Sequence, residues 1–252
     1  MVKEHFAVNV VKLGISHGQY KAVGEVSFGV KPGSVLALVG PSGCGKTSIL
    51  YCLAGLNLEY SGLIEIFNAP PQRGRRDISI ILQDYGLLPW KTARDNVELG
   101  LRFRGELTGA RDRVKELIAR LGLRDCCHQY PHQLSGGQKQ RVAVARALSV
   151  EPRLLLMDEP FSALDALTRE DMQELFSKVQ RELALTTILV THSLEEALFL
   201  GDRIVVLSQS PAKVLLTLDN PGAGNRADPE HVSRAELIRA LLAADRNQGG
   251  KL

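Results

Sequence analysis

The 252 residues, 44% apolar and 23% charged, are enough to bury a sizeable core, and they suit a soluble α/β domain with a smaller inserted lobe. Basic residues (31) exceed acidic ones (28) by only 3, too few to argue for nucleic acid or an anionic membrane surface as a partner. No apolar run approaches the roughly 20 residues that cross a bilayer, and Met1-Val2-Lys3-Glu4-His5 opens no secretory signal.

Short β-rich runs come first, at residues 8–15, 23–30 and 35–39. The third runs into Gly40-Pro41-Ser42-Gly43-Cys44-Gly45-Lys46-Thr47, which fits the P-loop pattern. Its glycines let the backbone curl until consecutive N–H groups face a β-phosphate. Lys46 brings a mobile positive charge to the β- and γ-oxygens, and the Thr47 hydroxyl suits Mg²⁺. Residues 48–54, from Ser48 on, read as the following helix, stopped at Gly55. Strands are expected at 63–67 and 78–82. The second ends at Gln83, an uncharged side chain able to sense Mg²⁺ or an attacking water.

From about residue 86 to residue 150 the pattern turns helical. Residues 110–121 carry Val114, Leu117, Ile118 and Leu121 at helical spacing and stop at Gly122. Leu134-Ser135-Gly136-Gly137-Gln138 then opens a helix with Val142, Ala145 and Leu148 on one face. This is a second Gly-rich turn at a helix head, where free N–H groups and the positive dipole end favour an anion. One phosphate tail needs one such turn. The second turn therefore suits a nucleotide held by another copy, and the working species becomes a dimer.

Buried parallel strands at 154–157, 187–190 and 204–207 alternate with helical stretches, as in a doubly wound sheet. The first ends in Asp158 and Glu159. Adjacent strand residues face opposite ways, so the two acids do different work: Asp158 in the outer shell of Mg²⁺, Glu159 polarising the attacking water as a general base. His192 ends the next strand and can donate a hydrogen bond to a γ-phosphate. Residues 220–230 read as a linker, and a closing amphipathic helix presents Val232, Ala235, Ile238, Leu241 and Leu242. Cys44, Cys52, Cys126 and Cys127 have neither zinc spacing nor a disulfide framework. Free thiols indicate a reducing cytoplasm. Cys44, near Lys46 and a helix N-terminus, is expected to be the most thiolate-like of the four.

Alone, Gln83 is a solvated loop residue and His192 an ordinary strand-end one; their company decides. The P-loop, Gln83, the Leu134-to-Gln138 turn, Asp158-Glu159, Ser162-Ala163-Leu164-Asp165 and His192 fall in the order and approximate spacing of the ATP-binding cassette (ABC) ATPases. The chain resembles that family over roughly residues 5–215. The resemblance implies an α/β fold: a P-loop NTPase (RecA-like) core with an N-terminal antiparallel β subdomain over 1–86 and 151–219. An inserted α-helical subdomain covers 87–150, and a linker with the C-terminal helix covers 220–252. It also implies ATP and Mg²⁺, with the metal near Thr47, Gln83 and Asp158. Ser135, Gly136, Gly137 and Gln138 are expected at the ATP of the opposite subunit, and Asp165 in the loop that couples the two sites. Family members place an aromatic residue near the end of the first strand to stack on adenine. Here His17 stands there with Tyr20 close by, and the choice between them stays open.

The run from Gln83 through Leu88-Pro89-Trp90 to Asn96-Val97 looks like the ATPase subunits of nitrate, sulfonate, taurine and bicarbonate importers, where a helix of the membrane subunit docks. That resemblance implies a peripheral protein on the cytoplasmic face of the inner membrane, paired with itself or a close paralogue. It would drive a small oxyanion through integral membrane permease subunits, served indirectly by an extracytoplasmic solute-binding protein and without nucleic acid. Trp90, the only tryptophan, is either the anchor of the permease contact or a core residue of the helical lobe. The alternative, a soluble ABC ATPase of assembly, DNA repair or translation, typically has two cassettes, long coiled-coil insertions or basic tails.

Overall fold

A computed structural model describes residues 6–249. It consists of two compact units: one runs to Arg75 and resumes at Gln180, and the other is Arg76–Val179. The first unit opens with β1 (Val8–His17), β2 (Tyr20–Val30), β3 (Val35–Val39), α1 (Lys46–Leu53) and β4 (Ser61–Ile66). The second contains β5 (Ile78–Ile81), α2 (Ala93–Arg104), α3 (Leu107–Arg120), α4 (Gly136–Ser149), β6 (Leu154–Asp158) and most of α5 (Ala166–Glu182). The chain then returns to the first unit with β7 (Thr186–Thr191), α6 (Leu194–Leu200), β8 (Arg203–Leu207), β9 (Ala212–Asp219) and α7 (Glu230–Gly249).

In the first unit the strand order is β4-β1-β2-β9-β8-β3-β7. The β1–β2 hairpin closes through Gly18, whose φ of +60° supplies the left-handed residue that a two-residue hairpin turn needs. β1 is antiparallel to both β2 and β4, giving the expected N-terminal antiparallel layer. β3 lies parallel to β7 and β8. All five residues of β3 and all six of β7 are buried, which is why these stretches read as unbroken apolar runs rather than as alternation. β9 has no counterpart among the sequence expectations. It pairs antiparallel with β8, but its apolar residues are half-buried and Lys213 interrupts them, so the run lacks a clear signal.

The tail of the first unit is fastened to it. Ala235 and Ile238 of α7 enter a core with Ala37, Val39, Ala197, Leu198, Ile204 and Val206. Burying an isoleucine of this kind contributes about 1.5–3 kcal/mol. Val232, expected on the same face, is 66% exposed. The stretch read as a linker is also tied down. Asn220 is buried, donates to Leu198 O (2.7 Å) and Gly201 O (2.8 Å), and accepts from Arg234 (2.7 Å). Near the other end of α7, Asp245 accepts from the Gln209 N–H at 2.7 Å.

In the second unit β5 and β6 run parallel, and α2, α3 and α4 pack on one another. α4 is the central helix, with Val142, Ala143, Val144, Ala145, Ala147 and Leu148 all buried; a helix apolar on most sides belongs inside. α2 has a conventional start and stop. The Thr92 hydroxyl accepts from the Asp95 N–H at 3.1 Å, and Gly105 ends the helix at φ +71°.

Candidate active site: two helix heads and the ends of parallel strands

In the first unit Val39 of β3 lies opposite Thr191 of β7, so the P-loop and His192 leave neighbouring strands side by side. The carboxyl end of a parallel sheet is where α/β folds bind ligands. Gly43 and Gly45 take φ of +78° and +102°, a region that a residue with Cβ enters only under strain. At Gly45 a Cβ would also sit 2.7 Å from Val23 Cγ2, and at Gly40 3.0 Å from Leu207 O. The α1 head has no side-chain cap, so its first N–H groups face an approaching anion without a competing side-chain acceptor. Lys46 is buried and spans the loop, donating to Gly40 O at 2.8 Å and Pro41 O at 2.9 Å. Thr47 is exposed. Ser48 Oγ lies 3.1 Å from His17 Nε2, which places His17 at the head of α1; Tyr20 pairs with His17 across the hairpin and is 55% exposed.

Cys44 departs from its expected character. It is 1% exposed, and burial pushes its thiol up despite the opposing charge of Lys46. Proximity to a cation favours a thiolate, but removal from water acts more strongly here. All four cysteines are buried.

In the second unit Ile81 of β5 lies opposite Met157 of β6, so Gln83 and the Asp158-Glu159 pair leave the same end of two adjacent strands. Asp158 is buried and Glu159 half-buried. Glu159 takes φ of +45°, a left-handed conformation that costs a non-glycine residue about 1–2 kcal/mol and that is found where function demands it. The Ser162 hydroxyl donates to Glu159 O at 2.9 Å. Asp165 accepts from the Thr168 N–H at 3.1 Å, and hydrogen bonds from the Thr168 side chain and backbone hold its carboxyl below the usual range.

The Leu134-to-Gln138 turn is built as a capping box at the head of α4. Ser135 Oγ accepts from the Gln138 N–H (3.2 Å), and Gln138 Oε1 accepts from the Ser135 N–H (2.9 Å). A Cβ on Gly137 would stand 2.6 Å from Thr168 Cγ2, and one on Gly136 3.3 Å from Leu164 Cδ2. The two glycines therefore let the start of α5 pack against this helix head while leaving Ser135 and Gly136 exposed.

Trp90 is 69% exposed, which removes the reading of it as a core residue. Its loop is held by a residue that sequence reasoning missed. Asn96 is fully buried on α2, accepts from the Leu88 N–H (2.8 Å), and donates to Leu88 O (3.2 Å), Lys91 O (3.1 Å) and Thr92 O (3.0 Å). A signal for it exists: helical spacing puts Asn96 on the same face as buried Ala93, Val97 and Leu101, and a buried amide there needs partners.

The family model described as "ABC transporter" matches residues 23–162. A taurine import ATP-binding protein of Chromobacterium violaceum is 42% identical over 238 residues, covering 90% of this chain and 91% of that one. A nitrate import ATP-binding protein of Synechococcus elongatus is 44% identical over 236 residues, 89% of this chain; the chain spans only 36% of that relative's length. Among solved structures, the dimeric bacterial ABC transporter cassette MJ0796 superimposes with a TM-score of 0.73 at 32% identity, covering 85% of this chain and 99% of that one. The same cassette is known as a post-hydrolysis dimer bound to ADP and Pi.

Proposed function

The chain belongs to the ABC transporter family as an ATPase, and we propose that it dimerises around two MgATP and powers uptake of a small oxyanion through separate permease subunits. The observation that carries the transport reading is Trp90, a large aromatic side chain 69% exposed on a loop pinned by Asn96. A rigid exposed aromatic is a typical interface anchor. The relatives named for taurine and nitrate import support the choice of solute class. The dimeric cassette supports the two-subunit arrangement.

In this reading the N–H groups of residues 40–48 and Lys46 receive the phosphates, with Lys46 exchanging the carbonyls of Gly40 and Pro41 for phosphate oxygens. His17 stacks on adenine, with Tyr20 as the competing platform. The exposed Thr47 hydroxyl, Asp158 and Gln83 each carry an oxygen of the kind Mg²⁺ takes, and in this reading they would hold it. The ion supplies charge neutralisation at the phosphates. Glu159 takes the proton of the attacking water, and His192 donates to the γ-phosphate. Ser135, Gly136, Gly137 and Gln138 reach the nucleotide of the opposite subunit, and Asp165 couples the two sites.

The helical part, residues 87–150, faces the permease at the cytoplasmic side of the inner membrane. Among the described residues no helix is long and apolar enough to cross a bilayer; in this reading the permease supplies the attachment. A solute-binding protein outside the membrane delivers the anion to the permease, and no nucleic acid takes part. Complementation tests the reading: cells lacking the ATPase subunit of a taurine or nitrate importer should regain uptake of the labelled anion when this chain is expressed. Failure in both backgrounds, with an active ATPase in the cell extract, would reject the oxyanion assignment.

A further inference from the structure

Arg146 sits in the last turn of α4, half-buried against a loop far from it in sequence. Its Nη1 donates to Gly86 O at 2.5 Å and its Nη2 to Tyr85 O at 2.6 Å. Those carbonyls lie just past Gln83, after Asp84, and precede Trp90 by a few residues. Tyr85 and Gly86 take φ of +64° and +57°. Two successive left-handed residues fold the chain back so that both carbonyls reach one guanidinium. Asp84, whose carboxylate accepts from the Gly86 N–H at 3.1 Å, is the charged group facing Arg146. A planar fork of donors matches paired carbonyls, and a lysine supplies only a single point of charge there.

The other end of the same α4 carries the Ser135-to-Gln138 turn. From Gly136 to Arg146 the helix spans about 15 Å at 1.5 Å per residue. The far side of the loop is fixed by Asn96 through Leu88, Lys91 and Thr92. The stretch from Tyr85 to Thr92 is thus held at one end by half-buried Arg146 and at the other by buried Asn96.

We propose that Arg146 is a positioning residue that makes the Gln83–Trp90 loop and the signature helix α4 one rigid body. The γ-phosphate reader at the head of α4 and the partner anchor at Trp90 then move together. This inference rests on the proposed docking of a permease at Trp90 only for its consequence in transport; the brace itself is a property of the isolated chain.

The single tryptophan makes the test direct. In the full chain, Arg146→Met should lower the fluorescence anisotropy of Trp90 and raise its quenching by acrylamide. Equilibrium MgATP titration should remain near wild type. Arg146→Lys should fall between the two, and it carries the test alone if the Met variant does not fold. In the Glu159→Gln background, any MgATP-dependent shift in Trp90 emission should be lost with Arg146→Met. Trp90 signals unchanged from wild type in the folded Arg146 variants would overturn the brace, whatever the permease does. Conversely, a Trp90→Ala protein that keeps its permease complex would overturn the docking reading and leave the brace standing.

Discussion

The proposed roles of Glu159 and Lys46 lie at different steps, and single substitutions should separate them. Glu159 holds a left-handed backbone at the end of β6, so its side chain leaves the strand line that Asp158 still follows. Glu159→Gln should keep MgATP binding and slow hydrolysis about 10²–10⁴-fold, the range for losing a positioned general base. Near-normal turnover in the purified variant would remove Glu159 from that role. Lys46→Ala should instead weaken nucleotide affinity in an equilibrium titration, since its ammonium already sits across the loop mouth. The placement of these residues beyond strand ends was legible because the motifs that contain them are runs of sequence neighbours. The state of Cys44 was not, because the residue types of a loop do not say which side chains its curl turns inward; here Sγ is folded in, and it would lie 3.0 Å from a Cβ added to Gly40. With its thiol pushed up, Cys44 has little thiolate at neutral pH. Maleimide inactivation of the ATPase should therefore be slow at pH 7 and accelerate above the ordinary thiol range. Rapid inactivation at pH 7 that Cys44→Ala abolishes would contradict this.

At the scale of elements, the head of α4 combines a structural duty with a proposed chemical one. Ser135 caps the helix, so Ser135→Ala alone is ambiguous: it forfeits about 1 kcal/mol of cap together with any phosphate contact. Ser135→Asp resolves the ambiguity. Aspartate caps as well as serine does but sets a negative charge where a γ-phosphate would arrive. The melt of Ser135→Asp should match wild type while ATPase activity collapses; retained activity would show that this turn does not meet the phosphate. Helix heads of this kind are readable from sequence because a cap and its glycines are local. By contrast β9, the tie-down of residues 220–230 and the Arg146 brace depend on partners far away in the chain. Asn220 reaches Leu198 and Gly201, and Arg146 reaches Gly86 across 60 residues. Local periodicity carries no trace of such bonds.

For the whole molecule, Trp90 tests whether the proposed membrane partner docks at this loop. A core tryptophan cut to alanine costs about 3–5 kcal/mol, but at 69% exposure the side chain has little packing to lose. Trp90→Ala should shift stability by no more than about 0.5 kcal/mol, as for a surface site. The thermal melt of the isolated chain, its nucleotide titration and its MgATP-dependent dimerisation in the Glu159→Gln background should all stay close to wild type. If the loop is a permease anchor, losing it should cost about 2 kcal/mol or more of partner affinity, roughly a 30-fold weaker complex, and uptake in the complemented cells should fall accordingly. Loop rigidity strengthens the expectation. A loop backbone already held by Asn96 at Leu88, Lys91 and Thr92 loses less entropy on docking than a mobile one, so Asn96→Ala, with Trp90 intact, should also weaken the complex. Undiminished uptake with Trp90→Ala would mean that the permease grips another surface, and the exposed tryptophan would then need a different partner.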